Sequence, residues 1–199
     1  MQQVEPDKIL NTLTNLQKVS ILLLAAKDFE PIKGKLWFQK ELFLLSKNSP
    51  NLEKESNFEA DFMGPYSESA DVCLEQLMLS GIIEKEEKSS AIRLTPLGRV
   101  ISKQIQKSIS KEKMELFDDF KNFLNNLSQD ELLGFIYFSY PEMKLESLKF
   151  EEILPRRKVI AFSLFKKHKI SLEKASEIAG ISVEKFIQFL QERKIAIFS

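Results

Sequence analysis

The sequence predicts a mainly α fold: a winged-helix-like N-terminal domain with a small β hairpin, a helical middle segment and a C-terminal helix-turn-helix. Three observations carry that expectation. Apolar residues recur at helical spacing along most of the 199 residues. A short apolar stretch from Ile82 to Leu94 is interrupted by a polar tip, as in a hairpin. Near the end, Ser171 to Glu192 reads as two short helices around Ala179-Gly180-Ile181-Ser182. The corresponding divisions fall at residues 1–109, 110–154 and 155–199.

The elements follow in order. Pro6 opens a helix with Ile9, Leu10, Leu13, Leu16, Val19 and Leu23 on its apolar side, ending before Pro31. Gly34 precedes a second helix, Leu36 to Leu45, which is apolar on most sides and so buried. Ser49-Pro50-Asn51 reads as a loop, and Phe58 to Phe62 alternates with period two as a short strand does. Gly64-Pro65-Tyr66-Ser67 turns the chain into a third helix, Glu68 to Ser80, ended by Gly81. The hairpin pairs Ile82–Glu86 with Ala91–Leu94, and Thr95-Pro96 places an N-cap and a first-turn proline before the next helix.

Residues 110–127 form an amphipathic helix through Met114, Phe117, Phe120, Leu124 and Leu127. Ser128-Gln129-Asp130-Glu131 is a capping box for the next one. Two prolines and a charge reversal between Tyr140 and Pro155 mark a boundary, after which Arg156-Arg157-Lys158 leads a helix into Lys167-His168-Lys169. Ser171 and Ser182 can cap the last two helices, and Gly180 permits the positive φ that a tight turn between them needs.

Gly34-Lys35-Leu36-Trp37-Phe38-Gln39-Lys40, Gly64-Pro65-Tyr66-Ser67, Gly81-Ile82-Ile83 and Leu94-Thr95-Pro96-Leu97-Gly98 resemble a winged-helix-like family of archaeal and bacterial proteins. That family is related to antitoxin-type proteins of the SocA (Panacea) kind. Residues 156–195 resemble the small helix-turn-helix antitoxins of archaea and cyanobacteria through Ile170 to Ala175, Ala179 to Ser182 and Phe186-Ile187. The resemblance implies DNA binding and a toxin partner.

Charge sharpens the expectation. Net charge is zero, yet residues 155–199 carry ten cations and four carboxylates, while residues 111–154 carry five and ten. A cationic cluster over the helix-turn-helix suits phosphate neutralisation. Residues of the last helix not needed for packing, Ser182, Glu184, Lys185 and Gln188, are candidates for base edges. Arg156, Arg157, Lys158, Lys166, Lys167 and Lys169 are candidates for phosphates. The third helix differs, because Glu68, Asp71 and Glu75 would repel phosphates. With Val72 and Leu79 alongside, it is expected to face a protein.

The remaining signals are exclusions. Cys73 is the one cysteine, so no internal disulfide forms, and a cytoplasmic location without a membrane span or secretory signal is expected. No phosphate-binding loop, nucleophile elbow or metal-ligand spacing occurs; no enzyme activity, cofactor or metal is expected. The sequence therefore points to a DNA-binding transcriptional regulator of the antitoxin kind, acting on double-stranded DNA as a homodimer. Ile195 to Phe198 could pair across the two-fold axis. The competing reading is an adaptor or toxin-neutralising protein without DNA binding.

Overall fold

The computed structural model describes residues 6–193. Its chain is mainly helical with one two-stranded antiparallel hairpin. It divides into two compact units, residues 1–59 with 65–125, and residues 60–64 with 126–199.

In the first unit, the expected opening helix is two helices, α1 (Pro6–Thr12) and α2 (Asn15–Phe29). The break is a capping box: the Thr14 hydroxyl accepts from the Gln17 N–H, and the Gln17 side chain accepts from the Thr14 N–H. A uniform apolar period hid it. α2 ends irregularly, with Lys27, Asp28 and Phe29 in the left-handed region (φ 52°, 54° and 65°). That conformation costs energy for residues with a Cβ, and neighbouring groups hold it in place. Asp118 accepts from the Lys27 N–H at 2.8 Å, while the Lys121 ammonium donates to the Leu23 and Glu30 carbonyls.

α3 (Lys35–Ser46) is buried on most sides, as expected, with Phe38, Leu42 and Phe43 fully enclosed. Its Glu41 is also enclosed. Burial pushes the Glu41 carboxyl up to about 8, with Lys121 opposing that shift. Residues expected as a loop form α4 (Pro50–Ser56), which uses Pro50 at its first turn. The strand expected at Phe58–Phe62 is irregular chain that enters a turn at Phe62, with one isolated bridge between Glu59 and Tyr66. Period-two alternation over five residues cannot make a strand where no partner strand lies alongside.

α5 (Glu68–Leu79) starts at Ser67, whose hydroxyl accepts from the Ala70 N–H at 2.9 Å. β1 (Ile83–Lys85) and β2 (Ile92–Leu94) pair in the register Ile83 to Leu94, so Ile83, Ile92 and Leu94 point inward. Thr95 caps α6 (Pro96–Gln106) through the Gly98 N–H. α7 (Lys111–Asn125) buries Phe117, Lys121 and Leu124 against this unit and packs on α2.

The second unit begins with α8 (Gln129–Ser139), capped by the Ser128–Glu131 box. The segment from Tyr140 to Pro155 is packed structure containing a 3-10 turn and α9 (Phe150–Ile153). Phe150 meets Tyr137 edge-on with ring centres 5.7 Å apart. α10 (Arg157–Lys166), α11 (Leu172–Ala179) and α12 (Val183–Glu192) complete the unit. The middle segment, residues 110–154, is thus shared: α7 packs in the first unit and everything from residue 126 in the second.

Candidate nucleic-acid interface

The local sequence explains the α11–α12 pair. Ser171 and Ser182 each accept a backbone N–H three residues on, fixing both helix starts. Gly180 ends α11 at φ 69°, where a side chain would be strained. Its N–H bonds the Glu177 carbonyl and the next N–H reaches Ser176, closing the turn. Ala175, Ile178 and Ala179 are buried on α11, and Phe186 and Leu190 on α12. Phe186 meets Phe165 of α10 edge-on at 6.0 Å, and Phe189 meets Phe162 at 5.9 Å. Burying each large side chain contributes about 1.5–3 kcal/mol, so α12 is anchored along one side.

Its other side is exposed: Ser182, Glu184, Lys185 and Gln188 all face solvent. The Lys185 ammonium and the Gln188 amide make no hydrogen bond or ion pair among the described residues. The Ser182 hydroxyl is occupied as the cap, and together with the Glu184 N–H it holds the Glu184 carboxyl below its ordinary range.

The six candidate phosphate ligands fare differently. Lys158 and Lys166 are exposed with no ion pair among the described residues. Arg156 pairs with Asp130. Arg157 is used inside the unit: its Nε donates to the Ile178 carbonyl at 2.7 Å and its Nη2 to the Glu177 carbonyl at 3.1 Å. Its guanidinium also stacks 4.4 Å from the Phe138 ring centre, and a Cβ on Gly180 would approach it to 2.5 Å. Arg157 is therefore the charged cap of α11 rather than a free cation. Lys167 donates to Glu131 at 2.7 Å and to the Asn126 carbonyl at 2.8 Å. Lys169 is half-buried; burial, and then Lys167, push its pKa down.

Glu131 was legible only as a helix cap, yet it joins two helices. Its carboxylate accepts from the Ser128 N–H, the Ser163 hydroxyl and the Lys167 ammonium. Burial works to raise its pKa, but these bonds hold it below the ordinary carboxylate range. Gly134 lets α8 and α10 approach, since a Cβ there would meet Ile160 at 2.8 Å. The acidic stretch before residue 155 thus folds onto the basic one. The second unit as a whole has net charge +1, from twelve cations and eleven carboxylates.

The acidic face of α5 is only partly open to solvent. Glu68, Val72, Glu75 and Leu79 are exposed, but Asp71 is not free. Its carboxylate accepts from Lys35 at 2.7 Å and from the Tyr66 hydroxyl at 3.1 Å, and it belongs to the packing around α5. His168 is exposed and adopts φ 54° at the end of α10, which assigns it to a turn. Cys73 is buried 3.6 Å from the Ser20 hydroxyl, and burial raises its thiol to about 11, so it is not a ready nucleophile. Ile195 to Phe198 lie outside the described residues.

Among the described residues no cluster of three or more His, Cys, Asp or Glu is placed to hold a metal, and no helix is long and apolar enough to cross a membrane. Neither a curated protein nor a solved structure matches the chain. The uncharacterised protein family UPF0175 matches residues 136–199, which span the last turn of α8 and all three helices from α10 to α12.

Proposed function

We propose that this chain is a DNA-binding transcriptional regulator of the antitoxin kind, which reads double-stranded DNA through α12. One observation carries the reading. α12 is anchored by Phe186 and Leu190 and turns Lys185 and Gln188, both unpaired, to solvent. A helix after a tight glycine turn, fixed on one side and polar on the other, is what the reading helix of a helix-turn-helix requires. Lys158 and Lys166 are the cations best placed by exposure to hold phosphates. In the first unit the order α2, α3, α5, hairpin, α6 follows that of a winged helix, with α4 added. Its Glu68 and Glu75 beside exposed Val72 and Leu79 favour a second copy or a toxin over DNA. The regulator would act as a homodimer in the cytoplasm, without catalysis or cofactor.

Titrating the full chain against a genomic fragment library at several salt concentrations tests this. Gln188→Ala is expected to cost on the order of 1–3 kcal/mol on the preferred site and little on random DNA. Lys166→Ala should weaken both alike and flatten the log–log salt slope by roughly 0.9. Absence of salt-dependent duplex binding by the intact chain overturns the reading in favour of a protein adaptor.

A further inference from the structure

The first unit contains a cavity of about 430 Å³ between α2, the α3–α4 junction, α4 and α7. That volume lies within the range of small-molecule sites. Leu45, Leu52, Phe117 and Phe120 line it, and Leu116, 67% exposed, stands at its mouth. Such walls offer water few partners and an apolar body many.

Its polar lining consists of Asn15, Asn48, Ser49 and Lys113, and the Asn15 amide nitrogen is taken by Glu55 at 3.0 Å. Lys113 is the only charged residue of the lining. Its ammonium has no ion pair among the described residues, whereas Lys111 on the same helix pairs with Glu115 at 3.6 Å. Ser49 also lines the cavity and stands at the N-cap position of α4, yet its hydroxyl makes no capping bond. Asn48 also lines the cavity, and its amide nitrogen is taken by the Leu44 carbonyl at 3.2 Å. A cation and a hydroxyl on the lining of a mostly apolar hollow complement an anionic head on an apolar body.

We propose that this cavity is a binding site for small apolar monocarboxylates. Among the described residues the lining holds no carboxylate that would repel the head, and Lys113 supplies the charge that distinguishes it from an alcohol or an amine. α7 supplies four of the lining residues, Lys113, Leu116, Phe117 and Phe120, so the site exists only where α7 is docked. The ligand would be a separate input from DNA.

Isothermal titration of the full chain with sodium octanoate, octan-1-ol and octylamine tests the proposal without DNA, so its failure leaves the DNA reading standing. Octanoate should bind with one-to-one stoichiometry, up to about fivefold tighter than octanol, the span expected of one exposed ion pair. Octylamine should be weakest. Lys113→Ala should bring octanoate down to the level of octanol, and Leu116→Asp should weaken octanoate more than octanol. Both positions are exposed, and unchanged thermal melts would confirm intact folds. No saturable binding of octanoate overturns the proposal, as does equal binding of the three probes, or a head-group preference that survives Lys113→Ala.

Discussion

α5 and α12 begin alike and end in opposite chemistry. Each starts from a serine whose hydroxyl accepts a backbone N–H, Ser67 for α5 and Ser182 for α12. Each buries its apolar side, through Ala70, Leu74 and Leu77 in α5 and through Phe186 and Leu190 in α12. The outward sides differ. α5 presents Glu68, Glu75 and the aliphatics Val72 and Leu79, while α12 presents Lys185 and Gln188. Helical scaffolds of similar make can therefore present quite different surfaces, and only the outward residues separate them.

They are also held differently. α5 is secured within its unit by polar contacts from α3 and from the turn before it, Asp71 with Lys35 and Tyr66, and the Gln39 amide with the Ser67 backbone at 3.0 Å. The α11–α12 pair is secured by groups from α8 and α10, through Arg157, Glu131 and Lys167. The platform that presents α12 is thus larger than the pair itself.

The largest expected effect follows from that size. A fragment of residues 155–199 lacks α8, leaving Ile160 of α10 without the helix packed beside it. Circular dichroism should find it largely unfolded, and a native-like helical spectrum with a cooperative melt would break the contrast with α5. Next in size, Arg157→Met removes both bonds to the α11 carbonyls and should cost about 2–3 kcal/mol in denaturant unfolding of the second unit. A change below about 0.5 kcal/mol would return Arg157 to the surface cations.

Glu131→Gln should be milder, about 1–2 kcal/mol at neutral pH, from loss of charge-assisted bonds. Because the folded Glu131 pKa is depressed, its contribution is present above the ordinary glutamate range and is lost as pH falls through the folded value. The difference between wild type and Glu131→Gln should shrink in acid; a difference constant from neutral pH into acid would contradict the ion pair. The smallest effect is expected at α5. Glu68→Lys with Glu75→Lys should leave specific DNA affinity within a few-fold, after correction for net charge. A severe loss with fold intact would make α5 a DNA-contacting helix and erase the comparison.

Local signals determined much of this molecule from the sequence alone. The caps at Ser128, Ser171 and Ser182, the proline after Thr95 and the glycine at 180 act over three or four residues, so adjacent letters suffice to place those helix ends. The hairpin from Ile82 to Leu94 is legible for the same reason, and so are the exposed positions of α12, which follow from the spacing of Phe186 and Leu190. The Thr14–Gln17 box was equally local but lay inside an unbroken apolar period, and α4 lay behind a proline that also suits a loop. What only the tertiary structure decided is which polar groups meet. Asp71 and Arg157 look as free in the sequence as Glu75 and Lys158. Their partners, Lys35 and the carbonyls of Glu177 and Ile178, stand 36, 20 and 21 residues away. Coulombic and hydrogen-bond energies depend on distance in space, and folding sets that distance between residues far apart in the chain.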